Sequence, residues 1–169
     1  MKFWIFIFFF VVSLNALSKE CNESYVPEKN RFKDNDNGTI SDLVTGLMWQ
    51  KCALGQSWNG AHCEGQAKGY SDAKDALAVA EKNVLKGYFD WRLPNSKELY
   101  SLVNAECRPA IYKEFDPLII NAYEYVSSTL SVLYMNNVKQ KLFMGVDFSN
   151  GTLFNGLSGG LVRLVREDK

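Results

Sequence analysis

The stretch Trp91-Arg92-Leu93-Pro94-Asn95-Ser96-Lys97-Glu98-Leu99 restricts the fold more than any other part of the chain. Pro94 disfavours the helical region at Leu93, so the chain entering it is extended. Directly after it, Asn95 is suited to N-cap a helix, and Glu98 three residues on completes a capping box. Leu99, Leu102 and Val103 then give a short helix one apolar stripe. The run therefore reads as a strand-to-helix joint. In that reading Trp91 and Leu93 pack inward, Pro94 sets the turn, and Asn95 and Glu98 cap; the alternative is that Trp91, Arg92, Leu93 and Pro94 line a ligand groove.

The elements around this joint follow from period and punctuation. In residues 31–50, Asp36-Asn37-Gly38 supplies the positive-φ positions of a tight hairpin, Thr39-Ile40 resumes extended chain, and Thr45 to Trp49 is a second strand. In residues 71–87 the apolar positions Ala73, Ala76, Leu77, Ala80, Val84 and Leu85 recur at helical spacing. Ser71 is suited as N-cap and Gly87 as the C′ residue, so a helix is expected over the whole segment. The last third reads as extended chain: Tyr123 to Leu130, then the alternating KLFMGVDF of 141–148, a turn at Ser149-Asn150-Gly151, and a strong terminal strand in LVRLVRE. This order predicts an α+β domain over residues 31–169, with two helices beside a curled antiparallel sheet.

The N-terminus bounds the compartment. Lys2, the unbroken apolar run Phe3 to Leu14 and Ala16-Leu17-Ser18 form a signal-peptide pattern over residues 1–18, too short for a spanning helix. Residues 19–30 then form an N-terminal segment. The expected localisation is export, to the periplasm, the cell surface or the medium, with no stable membrane insertion after cleavage. Without Lys2, 18 basic residues face 19 acidic ones. There is thus no global positive field, and nucleic acid is not an expected partner. Four cysteines in an exported chain imply two disulfides with three possible connectivities. Cys52 and Cys63 bracket a polar, turn-rich loop and are the natural local pair, which leaves Cys21 for Cys107. One histidine and no C-x-x-C pair argue against a zinc site.

Read together, RFKDNDNGTISDLVTGLMWQKC, GYFDWRLPNSKELYSLV, YEYVSSTL and GGLVRLVRE resemble the Lcl C-terminal domain family. Its pattern is an F-x-D-N-x-D-G-T start, T-G-L-M-W containing Trp49, W-R-L-P before a helix, W-S-S, and a final V-R-L-V-R. The likeness runs from about Arg31 to Arg166. It implies a C-type-lectin-like fold, with two helices beside a curled antiparallel sheet. It also implies an adhesin-like binding role, since the namesake domain is associated with sulfated polysaccharide at the bacterial surface. Two departures stand out. Val126 replaces the Trp before Ser127-Ser128, and no collagen-like repeat precedes the domain. The W-R-L-P phrase also occurs in formylglycine-generating oxidases, but no cysteine follows Cys107 to supply their copper ligands.

Individual sites follow from side-chain chemistry. Asp34, Asp36 and Gly38 resemble the start of a calcium loop, but Thr45 stands where an EF-hand needs glutamate, so a hairpin turn is favoured and no metal or other cofactor is expected. Arg163 lies within an apolar strand, where a guanidinium needs a partner, and an ion pair is expected. Lys139, Lys141 and Arg166 are candidates for a local sulfate-binding patch. No nucleophile or metalloprotease motif is present, and a non-enzymatic module is expected. Its partner would be polysaccharide or, alternatively, an envelope protein, bound on loops between 106 and 122 or between 131 and 140.

Overall fold

Two sheets share one chain end. A computed structural model describes residues 30–71, 73–115, 124–135, 137–156 and 159–169. The expected signal peptide, Cys21 and residues 116–122 of the first expected binding loop lie outside the described residues. Strands β1 (Phe32–Asp34), β2 (Thr39–Asp42) and β3 (Leu47–Gln50) form consecutive antiparallel hairpins. The first turn has Asp36 at φ 56° and Gly38 at φ 86°, the positive-φ geometry that Asp-Asn-Gly favours. A ribbon of β4 (Gln56–Trp58) and β5 (Cys63–Gly65) follows, closed by the Cys52–Cys63 disulfide, and β6 (Gly69–Tyr70) leads into helix α1 (Ala73–Lys82).

Helix α1 is shorter than its sequence period predicts. Lys86 and Gly87 adopt φ 56° and 79°, and Leu85 and Tyr88 exchange backbone hydrogen bonds across them. Residues 85–88 are therefore a tight hairpin turn, and Gly87 serves that turn in place of a helix cap. Ala76 and Ala80 are buried, while Leu77 and Val84 stay exposed. Helix α2 (Ser96–Tyr100) begins at the expected capping box: Asn95 Oδ1 accepts from the Lys97 and Glu98 amides, and Glu98 accepts from the Asn95 amide.

A 3-10 turn, Lys113–Phe115, precedes the second sheet. Its long hairpin is β7 (Glu124–Met135) and β8 (Val138–Asp147), followed by β9 (Thr152–Gly156), β10 (Gly160–Leu161) and β11 (Val165–Glu167). The strand order is β6-β10-β7-β8-β9, while β11 joins the first sheet as β1-β2-β3-β11. Two expectations are corrected here. The terminal segment LVRLVRE is not one strand, because β10 belongs to one sheet and β11 to the other. Nor is the pairing purely antiparallel, since β10 lies parallel to β7. The intervening residues 162–164 are fully buried, so their backbone is bonded across the core: the Val162 and Leu164 carbonyls accept from the Leu54 and Gln50 amides.

The two faces of the β7–β8 hairpin serve different cores. Tyr125, Val146 and Phe148 pack with Trp49, Leu99, Leu102 and Phe115. Val126 and Phe143 pack with Met48, Trp91, Leu93, Val162 and Leu164. The molecule is thus mostly β-sheet with two α-helices among the described residues, an α+β arrangement.

Candidate functional site

The structure first separates residues that hold the fold from residues left facing solvent. Trp91, Leu93 and Pro94 are buried, and Trp49 is fully enclosed with its ring edge-on to Phe115. Arg92 leaves the joint outward and makes a two-pronged pair with Glu98, both bonds at 2.9 Å, with Glu167 at 3.3 Å. Burial pushes the Glu98 carboxyl up, but the bonds from Arg92 and Asn95 outweigh it and hold its pKa below the usual value. The Ser127-Ser128 motif ties β7 to this joint. Ser128 donates to the Pro94 carbonyl from its amide at 2.8 Å and from its hydroxyl at 3.2 Å, and Thr129 Oγ1 accepts from the Ser96 amide. Ser127, fully buried, donates to the Met144 carbonyl at 2.7 Å.

Arg163 is 1% exposed, and the ion pair expected of it is replaced by backbone acceptors. Its guanidinium donates to the carbonyls of Gln50, Lys51 and Phe115 and to the Tyr125 hydroxyl. The rings of Phe115 and Tyr125 each lie 5.3 Å from it. Carbonyl dipoles from two segments, together with the Tyr125 hydroxyl, do the work of a carboxylate.

The proposed sulfate patch is not assembled. Arg166 is 7% exposed, donates to both Asp90 oxygens at 2.7 and 3.2 Å, and stacks 4.0 Å over Tyr88. Its hydrogen bond holds the Asp90 carboxyl below its ordinary pKa. Lys139 and Lys141 lie on β8, in the other sheet, and are exposed. The expected binding loop between 131 and 140 is likewise corrected: it is paired strand up to Met135 and again from Val138, because β7 and β8 run in register from Leu130↔Phe143 to Met135↔Val138.

Sequence reasoning missed a cleft of about 350 Å³ between the disulfide ribbon and the Leu85–Tyr88 turn. Its chemistry comes from Trp58 and the amides Asn37, Gln50, Gln56 and Asn83, with Lys86 at the rim. Gln50 donates to Asn83 Oδ1 at 2.6 Å, which fixes both amides and leaves Gln50 Oε1 and the Asn83 amino group without that bond. Lys51 Nζ caps one face of the Trp58 ring at 3.7 Å and pairs with Asp34, holding the indole in place. The Trp58 indole N–H and Gln56 Oε1 are buried without a partner among the described residues. Among the described residues no carboxylate lines the cleft. Four amides scattered between residues 37 and 83 give no sequence signal, and only the folding of the ribbon against the turn gathers them. Asp34 and Asp36 belong to the neighbouring turn, where Asp34 accepts from the Asp36 amide at 3.0 Å.

The described residues thus define an α+β domain with an amide-rich cleft and a structural W-R-L-P joint. Residues 38–166 match the Lcl C-terminal domain, and the chain belongs to that family. No curated protein matches the chain, and no solved structure does.

Proposed function

We propose that this protein is an exported, non-enzymatic binding module of C-type-lectin-like architecture, and that it holds a glycan in the Trp58 cleft. The observation that carries this reading is the lining itself. Amides present donors and acceptors together, as sugar hydroxyls do, and an immobilised indole offers an apolar edge for sugar C–H groups. That no carboxylate lines it among the described residues supports binding over hydrolysis. The Cys52–Cys63 disulfide supports an oxidising compartment. A sulfated polysaccharide, the ligand class associated with the family's namesake, would meet one cation here, Lys86, because Arg166 is engaged by Asp90.

The test is retention of the oxidised, exported chain on a panel of immobilised polysaccharides that includes dextran sulfate as a pure polyanion. At least one glycan is expected to retain it, and Trp58→Ala should weaken that retention about tenfold or more, in keeping with the ~1.4 kcal/mol per tenfold of binding. Retention by dextran sulfate alone, lost in moderate salt and indifferent to Trp58→Ala, would remove the cleft and restore a polyanion site. A second reading, an envelope-interaction component, is favoured by one observation. Leu130, Val132, Leu133, Tyr134 and Val138 are large apolar residues left exposed on one hairpin.

A further inference from the structure

We propose that the outer half of the β7–β8 hairpin is a docking surface for an anionic lipid bilayer. This role presupposes the exported location proposed above and is independent of what the cleft holds. The register places Val132 opposite Lys141 and Tyr134 opposite Lys139, and directly opposed residues share a face. Leu130, Val132 and Tyr134 therefore form an apolar column, 45%, 47% and 70% exposed, beside a column carrying Lys141 and Lys139. The other face adds Leu133 and Val138. Among the described residues no strand flanks the ribbon beyond this point: β9 pairs with β8 only from Phe143 onward, and β10 meets β7 only at Tyr125. A two-stranded ribbon with exposed apolar faces is marginal in water and marks an interaction site.

Charge decides the occupant. From Tyr125 to Val146 the sequence contains no Asp or Glu, although the chain has 19 acidic residues, and its two charges are Lys139 and Lys141. A soluble polyanion would meet the lysines and leave the apolar column in water. A second copy laid face to face would bring two lysine columns into one apolar contact. An anionic bilayer interface matches both columns at once. Lysine stems lie along apolar surface while their ammonium groups reach lipid phosphates, and tyrosine is at home at headgroup level. The backbone groups on both ribbon edges, which have no strand partner among the described residues, need water, so the hairpin rests in the interface and does not enter the hydrocarbon.

Flotation of the oxidised, exported chain with vesicles tests this. Binding is expected to phosphatidylglycerol–phosphatidylcholine vesicles and to be much weaker on phosphatidylcholine alone. Lys139→Gln with Lys141→Gln should lower partition about thirtyfold, from the known attraction of two lysines to an anionic surface. Val132→Ser with Tyr134→Ser should also release the protein, and Trp58→Ala should not, which separates this site from the cleft. A blue-shifted emission from the Tyr134→Trp variant on vesicle addition provides a readout that needs no destabilised variant. Absence of flotation with both vesicle types overturns the proposal. So does flotation indifferent to Val132→Ser with Tyr134→Ser, which describes a polyanion site, or a dimer that this double variant dissociates while vesicles bind nothing.

Discussion

Arg163 shows how a single residue can join two sheets without a counter-ion. Its guanidinium bridges the β3 end, the 3-10 turn and β7 through carbonyls and the Tyr125 hydroxyl. Arg163→Met keeps most of the volume and strands these acceptors in the core. Leaving buried acceptors unsatisfied costs about 1–3 kcal/mol each, so a loss of about 3 kcal/mol or more in unfolding free energy is expected, read from a lowered denaturant midpoint. The carboxylates give a pH signature. Burial raises Asp42, but the bonds from Arg31 at 2.6 and 3.0 Å and from the turn amides outweigh it, and its pKa is lowered; Glu98 is lowered in the same way. Carboxyls with depressed folded pKa values stabilise above their unfolded values, about 3.9 for Asp and 4.3 for Glu, and lose that contribution as pH falls through the folded values. Urea midpoints should therefore drop as pH is lowered below about 4.3, and Arg31→Met should flatten that drop by removing Asp42's partner. An unchanged slope would show that Asp42 is not among the groups responsible.

At the scale of elements, the joint and the disulfide ribbon make separate contributions. Asn95→Ala removes the acceptor for two helix amides and should cost about 1 kcal/mol, as N-cap losses do. Glu98→Gln should cost less at the cap, since its amide oxygen can still accept from Asn95, and the difference reports the Arg92 pair. The Cys52–Cys63 bond closes a loop with a sequence separation of 11. Cys52→Ser with Cys63→Ser should lower stability by about 2–3 kcal/mol and, because the ribbon forms one wall of the cleft, should weaken cleft binding as well. Cys107 is also disulfide-bonded, and its expected partner Cys21 lies outside the described residues. The capping box could be read locally because all its groups lie within four residues. The end of α1 could not, because apolar spacing continues to Leu85 while the backbone leaves the helix for a Lys86-Gly87 turn.

For the whole molecule the deciding feature is the crossing of residues 162–164 from one sheet to the other. Gly159, just before it, has φ 64°, and a Cβ there would meet the Tyr70 carbonyl oxygen at 1.6 Å. Gly159→Ala should therefore disrupt the β6–β10 pairing and cost several kcal/mol, more than an ordinary surface change, measured by thermal and urea unfolding. The same crossing brings β11 beside β3 and sets Arg166 against Asp90, which removes it from any patch with Lys139 and Lys141.

Local chemistry determined the pieces of this protein: the Asp-Asn-Gly hairpin, the capped joint at Pro94, the α+β order, the Cys52–Cys63 pair and membership in the Lcl C-terminal domain family. Each of these depends on residues close in sequence, or on a recurring string. Three things had to wait for the tertiary structure. The division of the last strand between two sheets, the carbonyl cradle around Arg163 and the amides gathered about Trp58 all depend on backbone brought together from distant segments. No residue in those segments records its partner, because a carbonyl or an amide side chain looks the same in sequence wherever its hydrogen bonds go.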